Sequence, residues 1–275
     1  MFDRLFGKKR IFTENINGLV TVILTVWKRQ NLEEQIEALL GQTEQPYQIW
    51  VYQCGNHVNV DRIKRKFSNV HFNNSSINLK YFGRFSLALH VKSKYVWILD
   101  DDVIPSSNWL EESRKMSEKR NAIIASAGRI ITYERRSGGS EITDLRRLLV
   151  GDRDDEKPFN FNEHHTETDF GCNSWLLKTE WITLFWKIKP YTMDNAEDIH
   201  LSATCKMLEN ISTIVPAQNE LGLCGNLKKY YGHDEVASWK KNNFQKERIE
   251  AINYLIQKHG WEILLKSNHN QISSL

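Results

Sequence analysis

One segment of the chain joins a strand-like apolar run directly to a cluster of negative charge. Tyr95–Leu99 is uninterrupted apolar sequence, and Asp100, Asp101 and Asp102 follow at once. Such a run predicts a central strand covered on both faces. Adjacent carboxylates repel one another unless they share a cation, and open α/β sheets bind ligands beyond the carboxyl ends of their strands. Extended geometry would turn Asp100 and Asp102 to one side and Asp101 to the other. We therefore favour a metal–phosphate site over an acidic turn that merely caps a helix.

Strands and helices alternate before this acidic cluster. The residues that precede it predict an α/β fold with a Rossmann-like, mostly parallel central sheet flanked by helices. The predicted elements are a strand at Leu19–Val26, a helix ending at Gly41, strands at Ile49–Gln53 and Val70–Phe72, and a helix at Gly83–Val91.

The pattern changes after Asp102, and we predict an extension of the fold there. A boundary near residue 104 divides the chain into an N-terminal extension (1–17), a first subdomain (18–104) and a second subdomain with the C-terminal helix (105–275), together one domain. The predicted later elements are a strand at Gly171–Leu177, a helix at Asn195–Leu208, and a long amphipathic C-terminal helix carrying Val236, Trp239, Ile249, Ile252 and Leu255.

A polar, charge-rich stretch runs from Glu134 to Thr168. Its composition favours a loop over buried structure, and a loop of this length inside a compact domain is usually a functional lid or disordered. We expect a mobile segment, or a lid beside a bound substrate.

Composition narrows the classes of partner. The net charge is +3 and the pI about 8.5, which falls short of the concentrated basic face of a nucleic-acid-binding protein and suits an anionic small substrate. Four scattered cysteines without a C-x-x-C pair indicate reduced thiols. We see neither a signal peptide nor a membrane-spanning run and expect a cytoplasmic protein. The basic, aromatic N-terminus could contact a membrane peripherally, although a frayed terminus is the simpler account.

Two motifs follow predicted strands: Val26-Trp27-Lys28-Arg29 after the first strand and Asp100-Asp101-Asp102 after Tyr95–Leu99. With the order of motifs from about Leu19 to Leu255, they resemble the metal-dependent nucleotide-sugar glycosyltransferases of the GT-A fold. The first is similar to the segment that lines the nucleotide base pocket in that class, and the second to its Asp-x-Asp motif. The resemblance implies that residues 18–104 are the nucleotide-sugar-binding subdomain and residues 105–275 the acceptor-binding subdomain of one catalytic domain. The resemblance implies donor-binding roles for Val26, Trp27, Arg29, Gln53, Arg84, Asp100 and Asp101; Gln53 stands where family-2-like members have a uracil-binding Asp.

Three later motifs resemble the same class. Gly171-Cys172 is similar to the glycine loop near the transferred sugar, where a missing side chain lets the backbone approach a ligand. Glu197-Asp198 resembles the Glu-Asp pair whose Asp faces the acceptor, although taken alone these acids could simply favour a helix dipole. His233 resembles the late histidine that completes the metal sphere, and alone it could be a turn residue. Trp175 or Trp181 could stack on a sugar ring.

The resemblance implies transfer of a sugar from a nucleoside-diphosphate sugar, most simply a UDP-sugar, to a hydroxyl of a glycan or another acceptor. Mn²⁺ or Mg²⁺ would be held by Asp102, Asp100 and His233; Asp198 would be the catalytic base, with Glu197 shaping the pocket. We expect inversion at the anomeric carbon, because it is the commoner mechanism of this fold. Three alternatives stay open: a retaining exostosin-like transferase, a sugar-phosphate nucleotidyltransferase, and a non-catalytic carbohydrate-binding protein.

Overall fold

The computed structural model describes residues 19–132, 142, 146–152 and 156–267. The predicted N-terminal extension, and with it the predicted membrane contact, lies outside these residues. Within the described part, nine strands form one sheet. They are β1 (Val20–Val26), β2 (Gln48–Cys54), β3 (His71–Ser75), β4 (Tyr95–Leu99), β5 (Ile123–Thr132), β6 (Arg146–Val150), β7 (Thr166–Thr168), β8 (Phe170–Lys178) and β9 (Thr213–Val215).

The first half of the sheet is parallel, as the alternation of strands and helices predicts. Its order is β3-β2-β1-β4, and every neighbouring pair is parallel. Ile23 of β1 pairs with Trp50 of β2 on one side and Ile98 of β4 on the other. The carboxyl ends of β1, β2 and β4 therefore lie together at one edge, which is where such sheets bind ligands.

The second half of the sheet is mixed. The order continues β4-β8-β5-β9-β7, with β6 beside β5; β8 runs antiparallel to both β4 and β5, while β9 is parallel to β5. The predicted α/β class is confirmed, but the parallel order stops at β4. The predicted boundary at residue 104 does not interrupt the sheet, because β8 pairs directly with β4.

Helices cover both faces of the sheet, which explains why β4 is apolar at every position. Trp97 and Leu99 face one core, whereas Val96 and Ile98 face the other, and all four are fully buried. The helices are α1 (Leu32–Leu40), α2 (Asp61–Lys66), α3 (Gly83–Ala88), α4 (Trp109–Arg120), α5 (Ile182–Phe185), α6 (Glu197–Glu209), α7 (Phe244–His259) and α8 (Leu264–Ser267).

Two predicted elements differ from the structure. The C-terminal helix α7 begins only at Phe244, so Val236 and Trp239 precede it in turns and loops, and Gly260 in a left-handed conformation follows its end. The polar stretch 134–168 is not a single loop: its described parts include β6, paired with β5, and β7, paired with β9. Ile142 is buried and exchanges backbone hydrogen bonds with the Asn253 side chain. Sheet pairing supplies the order that composition alone could not predict, and residues 133–141, 143–145 and 153–155 lie outside the description.

Throughout the described ranges, every helix is too short or too polar to cross a bilayer.

Candidate active site

A cavity of about 570 Å³ opens at the carboxyl ends of β1, β2 and β4. It brings together most of the residues that the sequence nominates. Predicted residues that line it are Trp27, Arg29, Arg84, Asp100, Asp101, Asp102, Cys172, Glu197, Asp198 and His233.

The three aspartates leave the strand in a turn and do not alternate. Strand β4 ends at Leu99, and Arg29 makes an ion pair with Asp101 while its Nη1 lies 3.3 Å from Asp102 Oδ2. One guanidinium group therefore reaches both neighbours, which corrects the prediction that they face opposite ways. Burial, together with the charges of Asp100 and Asp101, raises the pKa of Asp102 to about 7.

Arg29 also fastens the acidic turn to a later loop. It donates hydrogen bonds of 2.8 and 2.9 Å to the two carboxylate oxygens of Asp234. Although burial disfavours its charge, Asp234, Asp101 and Asp102 hold the pKa of Arg29 above its ordinary value. The segment around Gly232 is thereby held against Asp102: a Cβ on Gly232 would lie 2.7 Å from Asp102 Oδ2.

Arg84 connects the acidic turn to the first turn of α6. This nearly fully buried side chain makes an ion pair with Asp100 and donates a 2.8 Å hydrogen bond to Glu197 Oε1. Its guanidinium group lies 5.0 Å from the centre of the Trp175 ring. A helix start disfavours a cation, and here the two carboxylates compensate for it.

Glu197 and Asp198 open α6 inside the cavity. Ala196, in a left-handed conformation with φ of 65°, precedes them. Burial and the charge of Asp198 raise the pKa of Glu197 to about 7. Asp198 instead receives two hydrogen bonds from Arg248 of α7, at 2.9 and 2.8 Å. Both acids therefore pair with buried arginines, which goes beyond an interaction with the helix dipole.

Sequence reasoning missed Arg248, although its position carried a signal. With Phe244 and Ile252 it occupies the i, i+4, i+8 row of α7, where the buried face of an amphipathic helix should be apolar. A cation in that row requires a buried partner. Asp198 is that partner.

Several predicted donor-binding residues do not line the cavity. Val26 is buried in a hydrophobic core, because neighbouring strand residues point to opposite faces and it is Thr25 and Trp27 that reach the cavity. Gln53 is buried too; its amide nitrogen donates to the Val58 carbonyl at 2.7 Å, and within the described residues its Oε1 has no hydrogen-bond partner. The base contact of Gln53 stays a prediction, with one unpaired acceptor in its favour.

Gly171 is a packing glycine. A Cβ there would lie 2.5 Å from the Ala125 Cβ and 3.1 Å from Thr213 Cγ2, so the missing side chain allows strand β8 to fit the sheet. This replaces the prediction that the glycine lets a ligand approach. Trp181 is buried and does not line the cavity. Trp175 does line it but is only 1% exposed, with the Arg84 guanidinium group 5.0 Å from its ring centre. Cys172 does reach the cavity, with Sγ 3.8 Å from Asp198 Oδ2.

The chain matches the sequence model of glycosyl transferase family 2 over residues 21–182, more than half of its length. The chain belongs to glycosyl transferase family 2. No curated protein matches it.

Solved structures similar to this family 2 chain include three crystal structures of S. aureus TarS. One shares 12% identity, covers 73% of this chain and 37% of its own, and has a TM-score of 0.47. A second, TarS 1–349, shares 12% identity with coverages of 87% and 80% and a TM-score of 0.49. A third, TarS 1–349 in complex with UDP, shares 13% identity with coverages of 72% and 60% and a TM-score of 0.47. The chain thus spans little more than a third of the first of these proteins.

The charges of the family 2 site suit a divalent cation. Three adjacent carboxylates, Asp100, Asp101 and Asp102, pair here with two arginines, Arg29 and Arg84. Burial is the first cause of the raised pKa of Asp102, and the charges of Asp100 and Asp101 add to it. Among the described residues, no three His, Cys, Asp or Glu side chains are placed to hold a metal. Mg²⁺ or Mn²⁺ normally uses one or two carboxylates and completes its shell with water and substrate phosphates, so Asp102 and Asp100 fit.

His233 lines the same cavity as Asp102. Its ring makes edge contacts with Tyr230, 5.2 Å between ring centres, and with Trp239, 6.0 Å. The His233 ring therefore packs between two aromatic side chains. Its role as a metal ligand stays a prediction.

Proposed function

We propose that this chain is a metal-dependent glycosyltransferase that moves a sugar from a nucleoside-diphosphate sugar, with UDP as the first choice, to a hydroxyl of a glycan or another acceptor. Family membership supports sugar transfer. The observation that carries the donor class is the cluster of three adjacent carboxylates, Asp100, Asp101 and Asp102, at the carboxyl end of β4 and inside a cavity of about 570 Å³. Carboxylates at that place bind phosphates through a shared cation.

In the proposed mechanism, the donor lies across the strand ends. Trp27 offers an aromatic side chain in the cavity to the nucleobase. Gln53 is buried and does not line the cavity, so its predicted contact with uracil would require this side chain to become exposed. Asp102 and Asp100 would hold the divalent cation, with water and the donor phosphates as further ligands, and the cation would neutralise charge on the departing diphosphate. His233, the predicted third ligand, lines the same cavity and would have to move to join them. Arg84 and Arg29 are placed to assist, because each already pairs with an aspartate of the acidic turn and could turn toward a phosphate.

Asp198 takes the proton of the acceptor hydroxyl. Arg248 holds this carboxylate in one orientation, and a carboxylate has about four acceptor sites. Oδ1 accepts from Arg248 and from the Ile199 N–H at 2.8 Å, whereas Oδ2 accepts from Arg248 and faces Cys172. The contact from the Cys172 thiol, at 3.8 Å, is the longest of these four, and the acceptor hydroxyl would take its place on Oδ2. Glu197, paired with Arg84, shapes the pocket between donor and acceptor. Direct displacement with Asp198 as base would invert the anomeric centre.

A donor screen tests the proposal. UDP-, GDP-, CDP- and dTDP-sugars are incubated with the protein in Mn²⁺, in Mg²⁺ and in EDTA, and the released nucleotide is measured. We expect slow hydrolysis of one nucleotide class that requires the metal and is lost in Asp102→Asn. Release that is equal in EDTA would contradict the metal, and no release or binding of any nucleotide sugar would contradict the function. Retention at the anomeric carbon of the product would favour the exostosin-like alternative.

A further inference from the structure

Trp239 differs from the other tryptophans of the chain. All nine tryptophans lie in the described part, where Trp239 is 50% exposed and the others are buried or half-buried. It lines the same cavity as Asp102 and Asp198. A large aromatic side chain left exposed inside a polar cavity is typical of a ligand-binding surface.

The indole ring is held in place. Its N–H donates a 3.1 Å hydrogen bond to the Gly232 carbonyl, and His233 lies against it with ring planes inclined at 74°. Tyr230, 44% exposed, stands at 90° to His233 on the other side. We call Tyr230, His233 and Trp239 the aromatic rim. Because its polar edge is already bonded, Trp239 offers a ligand mainly its apolar carbon face.

The rim belongs to the wall that carries the acceptor-side acids. The short helical turn Ser238–Lys240 packs against α7, and α7 supplies the Arg248 that binds Asp198. On the opposite side, Lys241 Nζ donates to Tyr81 Oη at 2.9 Å, next to the start of α3. The exposed indole and the base of the proposed reaction therefore share one continuous surface.

Groups that suit sugar hydroxyls accompany the indole. Ser238, Lys241, Asn195 and Glu247 line the same cavity and carry hydroxyl, ammonium, amide and carboxylate groups. Lys241 also donates to Tyr81, and the Asn195 amide to Phe244 and Glu247. A pyranose ring combines a flat C–H face with hydroxyls around its edge, which matches an aromatic face bordered by polar groups. An open-chain polyol has no such flat face.

We infer that Trp239 is the platform of an acceptor subsite that stacks a pyranose ring, so that the acceptor is a glycoside. This inference rests on the proposed function, because it assumes that the Asp198 side of the cavity receives the acceptor. It assigns the exposed face of Trp239 to the acceptor and the Trp27 side to the donor, while His233 keeps the metal role predicted for it.

The test compares acceptors and variants. With the donor found by the hydrolysis screen, methyl glycosides of glucose, galactose, mannose and N-acetylglucosamine are offered beside sorbitol and glycerol. We expect transfer to a glycoside and not to the polyols. Trp239→Ala should raise the KM for that glycoside by about tenfold or more, the scale of losing a half-buried aromatic contact, while Trp239→Phe keeps most of it. Metal-dependent donor hydrolysis without acceptor is measured in the same variants. Because Trp239 contacts His233 and Gly232, we expect the acceptor KM of Trp239→Ala to rise by a larger factor than its hydrolysis rate falls. Tyr47→Ala, which removes an aromatic side chain that is 40% exposed outside the cavity, is the matched control.

Three results would overturn the inference: polyols used as well as glycosides, an unchanged acceptor KM in Trp239→Ala, or loss of donor hydrolysis in Trp239→Ala. Each leaves the proposed function intact if the wild-type protein hydrolyses the donor. Should the wild-type protein hydrolyse no donor, the proposed function fails. Saturation-transfer NMR with the same methyl glycosides then tests whether Trp239 is the platform, because binding of the glycoside must weaken in Trp239→Ala.

Discussion

Arg248 and Asp198 form a buried ion pair with two parallel hydrogen bonds, of 2.9 and 2.8 Å, between α7 and the first turn of α6. The guanidinium group lies 5.1 Å from the Phe170 ring centre and 5.0 Å from that of Phe244. The two aromatic rings and the bidentate carboxylate thus hold the guanidinium group of Arg248 in one position. The late helix α7 thereby sets the orientation of the acid that we propose as catalytic base.

Removing Arg248 should destabilise the protein strongly. Arg248→Met leaves the Asp198 carboxylate buried without its partner, which typically costs about 3–5 kcal/mol of unfolding free energy. Urea denaturation measures the loss. Arg248→Met combined with Asp198→Asn should recover a large part of it, because the unpaired charge is gone. If Arg248→Met alone unfolds at the wild-type urea concentration, the ion pair does not contribute this free energy of unfolding.

Asp198→Asn should separate binding from transfer. We expect the affinity for the nucleotide donor to stay near the wild-type value and the transfer rate to fall roughly a hundredfold or more, the usual scale for a missing general base. Steady-state transfer and calorimetric donor titration give the two quantities. Asp152→Asn is the control, because Asp152 lines the same cavity and pairs with Arg129 instead. Near-normal transfer by Asp198→Asn would leave only a structural role for this carboxylate.

Asp102→Asn should abolish metal-dependent donor binding and leave the fold intact, because the acid lies in a turn beyond β4 and not in a hydrophobic core. Calorimetric titration of UDP with and without Mn²⁺ measures the effect. Asp234→Asn is a matched control, since it also removes a charge that pairs with Arg29 but in a more exposed place. His233→Ala should weaken metal binding less than Asp102→Asn, because water can replace one neutral ligand. Unchanged UDP affinity in Mn²⁺ for Asp102→Asn would refute the assignment.

His200 should make the protein less stable in acid. Burial lowers the pKa of this histidine to about 4, and its Nε2 contacts the Phe185 and Ile188 carbonyls at 2.9 and 3.1 Å. The unfolded chain binds the proton near its ordinary pKa, so stability is present above that value and is lost as pH falls toward about 4. The full loss is roughly 3 kcal/mol, of which about 2 kcal/mol should be gone by about pH 5.

The measurement for His200 is urea denaturation at about pH 7.5 and about pH 5, with His200→Gln as the variant that cannot titrate. Burial also raises the pKa of Asp169 to about 6, and such acids contribute the opposite slope, since the folded state then binds more protons. The difference between wild type and variant isolates the histidine. Identical pH dependence of the two proteins would refute this assignment.

Gly171→Ala should show whether this glycine is needed for the packing of β8 or for the approach of a ligand to the backbone. The added Cβ would lie 2.5 Å from Ala125 Cβ, so we expect a loss of about 1–3 kcal/mol of stability as β8 and β5 move apart. Donor affinity of the folded variant should change little. Gly222→Ala is the control, because the only atom that its Cβ would meet is Asn108 Nδ2, at 3.6 Å. A variant of normal stability that cannot bind donor would restore the predicted role in ligand approach.

The position of the acidic cluster and the class of fold could be predicted from the amino-acid sequence alone. Tyr95–Leu99 is apolar at every position because both faces of β4 are covered, and this pattern is local enough to read from the chain. The acids follow the end of the strand, where the rule for open α/β sheets expects a ligand. The motifs around Asp102 and Asp198 pointed to the family that the match over residues 21–182 shows.

The pairing of the charged side chains and the exposure of the aromatic ones could be seen only in the tertiary structure. Arg29, Arg84 and Arg248 come from three distant segments, and their pairing with Asp101, Asp100 and Asp198 depends on how those segments pack. The same holds for tryptophan: Trp175 follows a motif but is buried, whereas Trp239 lies outside the helix predicted for it and is exposed. Local periodicity specifies strands and helices, but ion pairs and exposure depend on contacts between residues far apart in the chain.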